Sequence, residues 1–271
     1  MSLKGAIDTH VHSGPDVRAR KTTSYELARA AREAGMRAIV LKNHHCSTVP
    51  LAAALSEALP GILVRGGLVL NRPAGGWNAE AVEAALKMGA AEIWMPTLSA
   101  ENERAFRGYP GTGMRALDEK GRLLPELIAI IRLVAKAGAV LGTGHLSPEE
   151  TCAVAALARE EGVRSILVTH PEINFIAMPV ETQRRLLGRG LYFERCFCRA
   201  GFHRDWSGLA RDIRGAGFES TILATDLGQP DNPHPVEGLE QFAERMRSEG
   251  FSAEEIERMT VANPAVALGL E

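Results

Sequence analysis

The sequence lacks a basic segment followed by an apolar core at its start, and its longest apolar runs are far shorter than a membrane span. Neither secretion nor insertion is expected, and the reading is a cytoplasmic chain with no membrane partner. Cysteine is scarce: Cys46, Cys152, Cys196 and Cys198 are the only four, and none form a CxxC pair. A disulfide framework is thereby excluded, and a chain of 271 residues does not need one. Cys196 and Cys198 alternate onto one strand face and read as small buried hydrophobes. An excess of one charge is missing too. The 31 Lys and Arg face 33 Asp and Glu, a formal net charge of −2, so no nucleic acid or other polyanion is expected as the main partner. No GxGxxG opens a helix after the first strand, which argues against a dinucleotide-binding sheet.

What is there is one pattern repeated. β-rich apolar runs recur at GAIDTHVH, MRAIVLKNHH, GILVRGGLVLN, AAEIWMPT, AVLGTGHL, RSILVTHP, GLYFERCF and STILATDLG. Helix-like stretches such as SYELARAAREAG, NAEAVEAALKMG and LPELIAIIRLVAKAG separate them, several closing on the glycine expected past a helix end. Strands apolar on both faces fit a parallel sheet covered by helices. Eight such units predict an α/β chain folded over residues 1–271 as a single-domain (β/α)8 TIM barrel. The period breaks once, where LSAENERAFRGYPGTGMRALDEKGRL is inserted between strand 4 and strand 5. A long connection of this kind lies over the active-site face of a barrel, so it is a candidate lid.

In such a barrel the chemistry stands at the C-terminal ends of the strands. GAIDTHVH places His10 and His12 one residue apart, and residues i and i+2 share a strand face, so both rings project the same way. Two adjacent imidazoles on one wall suggest a metal. The other strand ends supply Lys42, His44 and His45, then His145, His170, Glu194 and Asp226. Six of the eight histidines stand at strand ends, with only His203 and His234 elsewhere, a clustering that structural histidines would not produce. Asp226 ends the β-rich run in ILATDLG, where burial without a partner is costly and a cation would offset the cost.

In strand order these residues resemble the amidohydrolase superfamily of metal-dependent barrels. DTHVH matches its first motif at His10 and His12, GTGHL supplies His145, LVTHPE supplies His170 and ATDLG supplies Asp226. The tail NPAVALGL is also similar to a segment that closes many members. The resemblance implies a hydrolase that uses a metal-activated water on an amide, ester or lactone bond of a small, anionic substrate. A one-metal site would take His10, His12, His145 or His170, and Asp226. Asp226 would handle the proton of the water, and a histidine not bound to metal, such as His170, would stabilise the oxyanion. Zinc is the first choice of metal, although the same donors suit manganese, iron and nickel.

One departure from the superfamily matters. Strand 4, EIWMPT, offers neither lysine nor acid at the place where members bridge two metals, so the site holds one ion, or two with a bridge from elsewhere. Lys42, at a strand end on the face of His44, is either that bridge, carboxylated or not, or a cation that orients the substrate. The stretch from DTHVHSGPD to VLKNHH also resembles the PHP phosphoesterases, with His44 at a ligand position, yet strand 3 ends in Asn71 and strand 8 gives DLG in place of acid-x-His. A phosphoesterase or a metal-dependent decarboxylase on the same barrel is the alternative chemistry. A barrel that holds metal or ligand without turnover is the alternative of another class.

Glu194, an inward carboxylate on strand 7, fits a general acid, a second-metal ligand or the partner of an internal salt bridge. Asp8, two residues before His10, reads as a supporting group. Loop arginines near the mouth, among them Arg18, Arg20, Arg72, Arg107 and Arg115, suit bidentate contact with a carboxylate or phosphate, and His45 stands beside them as a further substrate contact. The expected partner is a small molecule, and exposed barrel ends leave room for a homodimer.

Overall fold

The computed structural model of the chain describes residues 2–197 and 205–271. Eight strands follow one another: β1 (Ile7–Val11), β2 (Ala38–Leu41), β3 (Leu63–Val69), β4 (Glu92–Trp94), β5 (Val140–Gly142), β6 (Ser165–Thr169), β7 (Leu191–Cys196) and β8 (Thr221–Ala224). Each pairs in parallel with the next. Beyond β8 the chain returns to β1: Asp226 N donates to His10 O at 2.7 Å and His12 N donates to Leu227 O at 2.8 Å, which closes the (β/α)8 barrel.

The helices are α1 (Ser24–Glu33), α2 (Val49–Ala58), α3 (Ala79–Lys87), α4 (Glu101–Phe106), α5 (Pro125–Ala137), α6 (Pro148–Glu160), α7 (Val180–Leu186), α8 (Trp206–Ala216), α9 (Pro235–Ser248), α10 (Ala253–Glu257) and α11 (Asn263–Ala267). Their starts are written in the sequence, for Thr23 with Glu26 and Ser147 with Glu150 form reciprocal capping boxes on α1 and α6. Their inner faces are written there too. Along α5 the buried residues Leu127, Ile130, Ile131 and Val134 fall at helical spacing, and each contributes about 1.5–3 kcal/mol by leaving water. Among the described residues no helix is long and apolar enough to cross a membrane.

The insertion between β4 and β5 is an ordered structure built around α4. The Glu101 carboxylate accepts from Gly111 N at 2.5 Å and Gly113 N at 2.6 Å, and Ala100 bridges Met114. Six residues are too few to show a helical period in the sequence, so α4 was legible only as a loop.

At the opposite end the NPAVALGL tail shuts the barrel. Leu268 touches three apolar groups drawn from several strands, including Ile7, Val40 and Ile222, while Asn263 Nδ2 donates to Thr221 O at 2.6 Å and Phe218 O at 2.9 Å. Inside, β4 does carry an acid, although not at the bridge position. Glu92 opens that strand, at the end away from the mouth, and is fully buried. Glycines on the flanking strands make its room: a Cβ on Gly142 would stand 2.4 Å from Glu92 Oε1 and one on Gly67 would stand 2.1 Å from Glu92 O.

Candidate metal centre

β1 is buried along its whole length, and its end carries His10 and His12 to the mouth of the barrel. Their Nε2 atoms each lie 3.1 Å from Asp226 Oδ1, and neither is aligned for a hydrogen bond. Two nitrogens and one carboxylate oxygen thus gather within 4.8 Å of one another. Asp226 reaches this position from a backbone with φ of 49°, and His170 from one with φ of 28°. Both are left-handed conformations that cost a non-glycine residue about 1–3 kcal/mol and are retained where function fixes the geometry. Gly228, at φ of 134°, presses against the same place, since a Cβ there would stand 2.1 Å from His12 O.

Supporting contacts fix the rings. His10 Nδ1 lies 3.0 Å from Glu194 Oε2, and Thr9 Oγ1 donates to Glu194 Oε1 at 2.6 Å. A carboxylate on Nδ1 keeps the hydrogen there and leaves the Nε2 lone pair for a cation. Asp8 fastens β1 to β8, accepting from Thr225 Oγ1 at 2.6 Å and from Thr225 N at 3.0 Å, and burial raises its carboxyl to about 6 despite these bonds. Burial also works to raise Asp226, but His10 and His12 outweigh it and hold the carboxyl well below its ordinary value. Burial and Lys42 push His10 down, while Asp226 and Glu194 push it up and prevail; His12 is lowered by burial to about 4. The donor set therefore fits a divalent cation: convergent Nε2 atoms without hydrogen bonds among the described residues, an ionised carboxylate, and a second carboxylate behind the first ring.

Three more imidazoles stand beside it. His145 Nδ1 is 2.5 Å from Glu103 Oε2, and His145 Nε2 is 3.1 Å from His170 Nε2. His44 Nδ1 is 2.8 Å from Thr97 Oγ1, and its ring centroid is 4.8 Å from that of His12. Burial lowers His44 and His170 well below the ordinary imidazole value, and lowers His145 against the pull of Glu103, so all three are neutral potential ligands. His44, His145, His170 and Asp226 line a cavity of about 320 Å³, together with Arg18, Arg107 and an apolar wall of Leu98, Phe106, Ile173 and Phe175.

Lys42 directly follows β2 and is buried. Among the described residues its Nζ has no hydrogen-bond partner, and it lies 5.2 Å from the centroid of the Trp94 ring. Burial lowers its ammonium below the ordinary value, while Asp226, Glu194 and Glu92 pull it upward. Of the residues read as substrate contacts, Arg18 lines the cavity. Arg72, Arg115 and His45 are not among its lining residues: Arg72 is exposed in a short 3-10 turn, Arg115 lies 3.8 Å from Glu101, and His45 pairs with Asp16 at 3.3 Å. Cys196 Sγ is buried 3.7 Å from His10 Nδ1, whereas Cys198 and His203 lie outside the described residues. Glu103 is the residue that sequence reasoning missed. It pairs with Arg107 one helical turn on, but six residues carry no helical period and nothing in the sequence fixes which way that turn faces.

The fold is shared with solved structures at low sequence identity. An amidohydrolase from Pseudomonas aeruginosa superposes with a TM-score of 0.68 at 12% identity, over 98% of this chain and 95% of that one. The organophosphorus hydrolase from Deinococcus radiodurans gives 0.62 at 16% identity, over 99% and 93%. A 2,6-dihydroxybenzoate decarboxylase in complex with 2,6-dihydroxybenzoate gives 0.59 at 12% identity, over the full length of both chains, 100% and 100%. No curated protein matches the sequence. A family model described as a family of unknown function, DUF6282, matches residues 5–194, a span that holds His10, His12, His44, Glu103, His145, His170 and Glu194. The chain belongs to the DUF6282 family.

Proposed function

We propose that this chain is a metal-dependent hydrolase that cleaves an amide, ester or lactone bond in a small anionic molecule with an apolar body. The convergence of His10 Nε2, His12 Nε2 and Asp226 Oδ1 carries the reading. The likeness in fold to an amidohydrolase and to an organophosphorus hydrolase supports it. His10, His12 and Asp226 would hold the ion, zinc in the first instance, with His145 and His170 available to a second. A divalent cation bound there supplies Lewis acidity and makes an attacking water available at neutral pH.

The chain's own residues do the rest. Asp226, kept ionised by His10 and His12, accepts the proton as the water attacks. His170, or His44 from the same cavity, donates to the oxygen on which charge develops. Arg18 and Arg107 bind the anionic group of the substrate, and Leu98, Phe106, Ile173 and Phe175 take its apolar part. Glu194 holds His10 in place, and Lys42 below adds positive charge to the anion's surroundings. The same reading makes the protein a cytoplasmic enzyme of small-molecule metabolism, paired as a homodimer through its barrel ends and with no nucleic-acid partner.

The test is elemental analysis of protein purified without chelator or nickel resin, followed by a panel of carboxylated amides, esters and lactones. Bound metal and carboxylic-acid release are the expected results. No metal under any loading condition would overturn the reading. Release of phosphate from phosphate esters, or of carbon dioxide from carboxylates, in place of hydrolysis would move the site to the alternative chemistries.

A further inference from the structure

Three imidazoles at the centre have a charged side chain at the outer nitrogen, and one of these partners is of the opposite kind. Glu194 meets Nδ1 of His10 at 3.0 Å and Glu103 meets Nδ1 of His145 at 2.5 Å, both carboxylates that accept a hydrogen. Nδ1 of His12 instead meets Nη2 of Arg20 at 3.2 Å. A guanidinium has five N–H donors and no acceptor, and it stays protonated in proteins. It can bond to Nδ1 only if that nitrogen presents a lone pair.

Arg20 is not placed there casually. Asp16 Oδ2 accepts from its Nε at 2.6 Å and forms an ion pair with its Nη2 at 2.5 Å, and the side chains of Arg20 and Asp16 are 5% and 0% exposed. The pair belongs to the segment that links β1 to α1, the same segment that carries Arg18 to the cavity. With Nδ1 committed to Arg20, the single hydrogen of a neutral His12 ring sits on Nε2, the nitrogen that faces Asp226 Oδ1 at 3.1 Å.

We infer that Arg20 is a positioning residue that holds His12 in the Nε2–H form, so that His12 becomes a metal ligand only when Arg20 releases Nδ1. The exchange balances within the ring, since one hydrogen leaves Nε2 and one arrives at Nδ1, with no net proton gained or lost. His10 needs no such exchange, because its hydrogen already lies toward Glu194. The centre is thus half preset and half latched, and loading it moves the segment that bears Arg18. The second half of this inference rests on the proposed metal function; the first half does not.

Two-bond proton–nitrogen correlation spectra of metal-free protein labelled with 15N-histidine decide the first half, with His12 assigned through His12→Gln. The hydrogen of His12 is expected on Nε2 and that of His10 on Nδ1; a His12 ring with its hydrogen on Nδ1 overturns the inference. Adding zinc is expected to move the His12 hydrogen to Nδ1 while His10 keeps its own there. Asp16→Asn/Arg20→Met removes the guanidinium without leaving the Asp16 charge buried alone. By competition with a chromophoric chelator, this variant is expected to bind zinc about tenfold more tightly than wild type. Equal or weaker binding would count against the latch. If wild type binds no zinc, the metal reading fails by itself, and the metal-free spectrum still decides what Arg20 does.

Discussion

Glu103 Oε2 lies 2.5 Å from Nδ1 of His145, although the two residues are 42 apart in sequence and Glu103 comes from the insertion. Burial works to raise Glu103, yet the bonds from His145 and Arg107 hold it down at about 2, so the carboxylate is ionised throughout the working range. The segment over the mouth therefore supplies the group that orients a ring at the centre.

Glu103→Ala should lower kcat by roughly 10–100-fold, while Glu103→Gln, which can still accept from Nδ1, should lose less. Steady-state kinetics on a substrate found by the panel would check this, with a thermal melt to show the fold intact. Equal wild-type rates in both variants would remove Glu103 from the mechanism.

His12→Ala and Asp226→Asn should each bring bound metal from about one equivalent down to a small fraction, since each deletes one of few ligands. Lys42→Met should leave that content unchanged while raising KM for an anionic substrate. Elemental analysis separates the two patterns, and loss of an ion with Lys42 would make that residue a ligand.

Asn71 ties the mouth together. Its Oδ1 accepts from Thr97 N at 2.8 Å and Ser99 N at 3.0 Å, and its Nδ2 donates to Thr97 Oγ1 at 2.6 Å and His44 O at 3.0 Å. Asn71→Ala leaves two buried amides without an acceptor and should destabilise the protein by about 2–4 kcal/mol, read from the urea midpoint. A loss below about 0.5 kcal/mol would mean that water replaces the side chain at no cost.

Burial, and then Glu194, raise the Glu92 carboxyl well above its ordinary 4.5, with Lys42 opposing them. The folded protein holds this proton more tightly than the unfolded chain. Its contribution is complete below about pH 4.5 and is lost as pH rises toward the folded value. Glu92→Gln cannot ionise, so its melting temperature should gain on that of wild type across this rise. Parallel melting curves at every pH would show that Glu92 ionises freely in the fold.

The sequence made the strand-end residues legible because a parallel barrel ties position along the chain to position at the mouth. His10, His12, His44, His145, His170 and Asp226 meet around one opening for that reason. Glu103 and α4 obey no such rule, since an insertion has no strand register to fix its direction. Glu92 stands at the far end of its strand, where depth in the barrel, not the residue pattern, raises its carboxyl above the ordinary value. Nor does any glycine announce the left-handed turns at His170 and Asp226, which only the fold imposes. The outer partner of His12 was equally hidden, because it depends on how Arg20 packs against Asp16.

The closure of the barrel gives the centre a second consequence. His10 and His12 arrive with the first strand and Asp226 just after the last, and between these strands the pairing is reduced to an isolated bridge, Val11 with Leu227. An ion shared by those three side chains would act as a clasp on the seam, joining segments that lie far apart in the sequence. Fastening there constrains a long loop that runs from the first strand to beyond the eighth, so the free concentration of the ion would work as a thermostat for the barrel, setting the temperature at which the ring opens.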